Sequence, residues 1–172
     1  MSRNFYLYFA QGISKNLCNI NNVYCFKNDL IIAIDKNIYG RKQRYEFQKY
    51  YRMSPYYISQ QVLKEILMHS LKEPNLFYLR DIEFIDKYVE DTPDFDFLKN
   101  LILKYEVEDI YKNVHYILNE YDTEILKIRF RYKGFDFCLN TEGVLDVEAP
   151  SDIIEEFIED NITNKLILGL AI

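Results

Sequence analysis

The chain has 172 residues, 49% of them apolar and 28% charged, with a net charge of −6. That length buries about two-thirds of the surface exposed by the unfolded chain, so no metal or disulfide staple is required. Five glycines and four prolines are too few for a linker or a disordered tract, and the apolar run LILGLAI is far shorter than the roughly twenty residues that span a bilayer.

FYLYFA (5–10) is aromatic and apolar, and predicts a strand. VYCF (23–26) and LIIAID (30–35) flank the polar turn Lys27-Asn28-Asp29 and predict a hairpin, with LIIAI buried on both faces. The stretch 39–53 fits either period. Phe47, Tyr50 and Tyr51 share one face of a helix, whereas Tyr45, Phe47 and Tyr51 line one face of a strand.

Ser54-Pro55 has the form of a cap followed by proline at the first helical position. It predicts a helix from there to just before Pro74. Ile58, Val62 and Ile66, with Leu63, Leu67 and Leu71, give that helix a wide apolar face. Leu79, Ile82, Ile85 and Val89 extend helical spacing through 76–90. Thr92-Pro93 repeats the cap, with Asp94 and Asp96 in a first turn where the dipole favours carboxylates. Leu98, Leu101, Ile102 and Tyr105 form one face and Val107, Ile110, Val114, Ile117 and Tyr121 another. The two are out of phase, which predicts a break near 106–108.

Beyond residue 122 the period becomes two. EILKIRFRYK, FDFCLN and VLDVEA alternate between turns at Lys133-Gly134 and NTEG, and predict an antiparallel meander. Pro150-Ser151-Asp152 opens a last helix with Ile153, Ile154, Phe157, Ile158 and Ile162 inward. The sum is an α+β fold. A mostly antiparallel sheet is built from the N-terminal strands and the C-terminal meander, with a central block of three to four helices and a C-terminal helix packed on one face. One domain over 1–172 is expected, with two lobes meeting near 74–92 as the alternative.

Three cysteines, Cys18, Cys25 and Cys138, leave an odd count with no CxxC. With no secretory signal at the start, they predict a reducing, cytoplasmic setting, in a bacterium or in an infected cell if the gene is viral. Cys25 and Cys138 fall in apolar strands and read as core thiols.

The common catalytic patterns are absent. His69 and His115 lack a partner at metal-site spacing. Five scattered glycines form neither GxGxxG nor a P-loop, and there is no GxSxG elbow. No Asp-x-Lys or Glu-x-Lys occurs, which removes the main carboxylate-nuclease pattern. The expectation is a protein that is not an enzyme and takes no cofactor and no metal. An uncommon carboxylate-based catalytic site is one alternative.

Charge is the informative feature. Residues 1–80 carry twelve cations and five carboxylates, while 81–172 carry nine cations and twenty-two carboxylates. Such asymmetry points to partners rather than to fold. On the acidic side Asp94, Asp96, Glu106, Glu108, Asp109, Glu148, Asp152, Glu155, Glu156 and Glu159 are the candidate partner-binding residues. They predict an acidic inhibitor or immunity-type protein that occludes a basic macromolecule, such as a nuclease toxin or a nucleic-acid-handling effector. A virus-encoded inhibitor of host defence fits the same description. On the basic side, YGRKQRYEFQKYYRMSPYY (39–57) interleaves five cations with six tyrosines. Arg41, Lys42, Arg44, Tyr45, Lys49 and Arg52 are the candidates for a nucleic-acid-binding module, in which cations meet phosphates and tyrosines stack on bases. A basic protein partner is the first expectation, nucleic acid the second. Association of the basic half of one copy with the acidic half of another is a third. No membrane is expected.

Overall fold

The computed structural model describes residues 3–10, 17–26 and 31–163. The elements in chain order are β1 (Arg3–Ala10), β2 (Val23–Phe26), β3 (Ile31–Asp35), α1 (Arg41–Tyr51), β4 (Met53–Pro55), α2 (Gln60–Lys72) and β5 (Phe77–Phe84). They are followed by α3 (Pro93–Lys104), α4 (Val107–Glu120), β6 (Ile125–Tyr132), β7 (Phe135–Asn140), β8 (Val144–Val147) and α5 (Ser151–Ile158). The fold is α+β with antiparallel strand pairing. The chain divides into two compact units, Met1–Ile58 with Glu142–Ile172, and Ser59–Thr141. The turn predicted at 27–29 and the LILGLAI run lie outside the described residues.

In the first unit β1 is the central strand. β3 pairs along one side of it, with Tyr6 opposite Ile34 and Tyr8 opposite Ile32, and β2 pairs with β3. The other side of β1 is shared. β8, the strand predicted to close the meander, takes Arg3 to Tyr6, and β4 takes Tyr8 to Ala10. Because side chains alternate along a strand, Tyr6, Tyr8 and Ala10 face one way. There they join Ile32, Ile34 and Met53 in a core against which Tyr39, Phe47 and Tyr51 pack. β3 is buried along its whole length, as predicted for Ile31 to Ile34.

Two local expectations are corrected, and one open choice is decided. Residues 41–51 are helical; Phe47 and Tyr51, four apart, reach the core, while Tyr50 is left 81% exposed. Ser54-Pro55 starts no helix but ends β4. Proline costs a three-residue strand little at its end, where no ladder bond needs its nitrogen. Ser59 is the cap instead: its hydroxyl accepts from the Val62 amide at 3.3 Å, and α2 begins at Gln60. Residues 77–84 are a strand rather than a helix. A register shift between Leu79 and Asp81 inserts an extra residue, so Leu79 and Ile82, three apart, both turn inward. A bulge of this kind imitates helical spacing in the sequence.

Cys25 is also corrected. It is disulfide-bonded and not the reduced core thiol expected, because spacing along the chain does not reveal which sulfurs meet in space. Cys138 is half-buried in β7.

The second unit holds β5, β6 and β7 as an antiparallel run. α2 packs on β5 and β6, α3 on β5, and α4 against α2 and α3. Thr92 caps α3, accepting from the Phe95 amide and donating to the Val89 carbonyl. The break expected near 106–108 is made by Tyr105, whose φ of 56° ends α3 in the left-handed region before α4 begins at Val107.

Candidate functional site

The basic stretch forms one wall of a groove in the first unit. The groove has a volume of about 580 Å³ and is lined by Tyr6, Leu7, Tyr8, Arg41, Arg44, Tyr45, Gln48, Pro55, Tyr57 and Glu142. Its α1 wall follows from helical periodicity. Residues 41, 44, 45 and 48 repeat at three- and four-residue steps and so share one side, while Phe47 and Tyr51 on the neighbouring side anchor the helix to the core. Gly40 begins the helix, its amide donating to the Gln43 side chain at 3.0 Å.

Leu7 sets the opposite rim. Its amide donates to the Gly143 carbonyl at 2.9 Å, and its carbonyl accepts from the Tyr56 amide at 3.0 Å. One residue of β1 therefore ties down the neighbours of both Glu142 and Tyr57. Gly143 makes the junction feasible: its φ is 74°, and a Cβ there would sit 2.0 Å from the Tyr56 carbonyl oxygen.

Arg44 is held in place. Its guanidinium carbon lies 4.5 Å from the Tyr6 ring centre, and Nη1 donates to the Tyr39 carbonyl. Lys36 Nζ stands 5.7 Å from the same ring. Among the described residues, neither Arg41 nor Arg44 has a carboxylate at ion-pair distance, and nor do Lys42, Lys49 and Arg52. Tyr45 and Tyr57 are 65% and 68% exposed, so their rings are open to a stacking ligand. The groove thus combines guanidinium groups that no described carboxylate pairs with accessible aromatic faces. That combination binds phosphate and planar rings together.

No family model, curated protein or solved structure matches this chain.

Of the six basic-stretch candidates, Arg41, Arg44 and Tyr45 meet in the groove. Lys42 and Lys49 lie about 80–100° round the helix axis from Arg41, exposed on the adjoining flank. Arg52 follows the helix as its left-handed cap, with φ of 50°. Tyr6, Tyr8, Gln48, Pro55, Tyr57 and Glu142 were missed. Gln48 shares the α1 face and Pro55 and Tyr57 lie in the same 39–57 stretch, whereas Tyr6, Tyr8 and Glu142 come from distant positions that no local signal links to it.

The acidic candidates fall into separate groups. Asp94 and Asp96 occupy the first turn of α3, where the dipole explains them. Asp94 is half-buried and accepts from the Tyr121 hydroxyl at 2.7 Å, a bond that holds the Tyr121 phenol above its ordinary pKa. Glu106 precedes α4, and Glu108 and Asp109 lie in its first turn; Asp109 is 3.7 Å from Lys112. Since Tyr121 at the far end of α4 touches Asp94, the two groups lie at opposite ends of that helix. Asp109 and Tyr121 are about 18 Å apart along the axis. In the first unit, Glu148, Asp152, Glu155 and Glu159 are all exposed and follow four-three-four spacing, whereas Glu156 is half-buried. Among the described residues no group of three or more His, Cys, Asp or Glu side chains is placed to hold a metal. No described helix is long and apolar enough to cross a membrane.

Proposed function

We propose that this protein binds single-stranded nucleic acid in the groove between α1 and the β1–β4 edge, without chemical turnover. The observation that carries the proposal is the convergence of Arg41, Arg44 and Tyr45 with Tyr6 and Tyr57 around one concavity. Two arginines with no carboxylate partner among the described residues attract phosphates, and exposed rings stack on bases whatever their sequence. A duplex keeps its bases stacked inside and would gain only the charge contacts. Fluorescence anisotropy with a labelled thymidine strand of about twelve nucleotides tests the idea, a length within the usual range for such sites. Binding at low salt should weaken linearly on a log–log salt plot, by about 0.7 log units per decade for each phosphate contacted. Absence of binding at low salt would overturn the proposal.

A second reading keeps the acidic surface as the active one: a cytoplasmic inhibitor that occludes a basic nuclease or defence effector. It draws on the exposed stripe Glu148, Asp152, Glu155 and Glu159. Asp152 and Glu155 lie three apart on α5 with Glu159 at its end; like charges so spaced on a helix cost stability, so their value would lie in steering a basic partner. Under this reading, Glu155→Lys with Glu159→Lys abolishes capture of the partner from native host extract, while Arg41→Ala leaves it unchanged. The opposite pattern would exclude it.

A further inference from the structure

We infer that Glu142 makes the groove selective for guanine, an assignment that rests on the nucleic-acid reading above. Among the described residues, Glu142 is the one carboxylate that lines the groove. A carboxylate there repels the phosphates that the arginines attract, so it subtracts from binding any strand that cannot use it. It forms no ion pair with either arginine, for neither has a carboxylate within ion-pair distance among the described residues. Nor is its backbone loosely placed. Gly143, its neighbour, is bonded to Leu7, and Leu7 also holds Tyr56, the neighbour of Tyr57. An acceptor group and an exposed ring therefore share one fixed rim, opposite two cations.

An ionised carboxylate only accepts hydrogen bonds, through two oxygens side by side. The base edge that answers it must offer two adjacent N–H donors. Guanine does so, with N1–H next to the N2 amine. Cytosine and adenine expose one amine beside an acceptor nitrogen. Thymine places its single N–H between two carbonyl oxygens, which the carboxylate repels. With the base stacked on Tyr57 and its phosphates on Arg41 and Arg44, Glu142 accepts from N1–H and N2–H of guanine. Charge-assisted bonds of this bidentate kind discriminate well.

The test uses the full chain and two labelled strands of about twelve nucleotides, one all thymidine and one with a single central guanine. Wild type should hold the guanine strand about tenfold more tightly, the lower part of the range for a bidentate base contact. Glu142→Gln should erase most of that preference and raise affinity for the thymidine strand, since the repulsion is gone. Glu142→Ala should behave alike, which separates lost recognition from any new contact by the amide. Equal binding of both strands by wild type, or a preference that survives both substitutions, overturns the guanine assignment and leaves the groove reading standing. Failure of both strands to bind overturns both.

Discussion

Gly143→Ala is expected to destabilise the protein by about 3 kcal/mol or more, among the largest effects open to a single added methyl group. Two costs combine. The φ of 74° lies where an L side chain is strained, and the added Cβ would meet the Tyr56 carbonyl oxygen at 2.0 Å. That oxygen is backbone, and the Tyr56 amide is bonded to Leu7, so neither side yields cheaply. Gly134→Ala is the control. Its φ is 85°, but nothing lies within 4 Å of the added carbon, so only the backbone cost of about 1 kcal/mol remains. Urea unfolding followed by circular dichroism compares the two. A Gly143→Ala protein no less stable than Gly134→Ala would show that the junction on β1 is looser than described. A destabilised but folded Gly143→Ala should also bind nucleic acid weakly, because Tyr57 loses the anchor that holds its neighbour Tyr56 to Leu7.

Removing the two groove arginines should nearly abolish binding of a single strand. Each charge-assisted contact to phosphate is worth about tenfold at low salt, so Arg41→Ala with Arg44→Ala costs about a hundredfold if the sites act independently. The salt slope should fall by about 0.7 for each phosphate released. The two residues are not equivalent. Arg41 is exposed and makes no ion pair with any described residue, so its replacement tests charge. Arg44 stacks on Tyr6 and bonds the Tyr39 carbonyl. Arg44→Lys should therefore keep the charge yet lose part of the affinity, since an ammonium neither stacks nor forks. Lys112→Ala, beside Asp109 on α4, should change nothing. An unaltered salt slope in the double variant would remove α1 from the interface.

Periodicity was a sound guide wherever one side chain in two or in three to four met a continuous core. The alternation of β6 and β7, the buried run of β3, the Thr92 cap and the change of phase at Tyr105 are all legible, because each depends on neighbours in sequence. It misled at β5, where a bulge shifted a period of two toward a period of three. It misled again at Ser54-Pro55, where a cap-like pair closes a short strand.

By itself, then, the sequence determined the class of fold, the extents of most elements and the uneven distribution of charge. These follow from local backbone preference and from which residues water rejects. Only the tertiary structure decided that 41–51 is a helix, since a stretch rich in Tyr and Phe fits both periods until something packs against it. The core beneath Phe47 and Tyr51 made that choice. Tertiary structure alone also joined Arg41 and Arg44 to Tyr6, Tyr57 and Glu142. Leu7 bonds two segments some ninety positions apart in sequence, and contact at that range leaves no periodic trace in the chain.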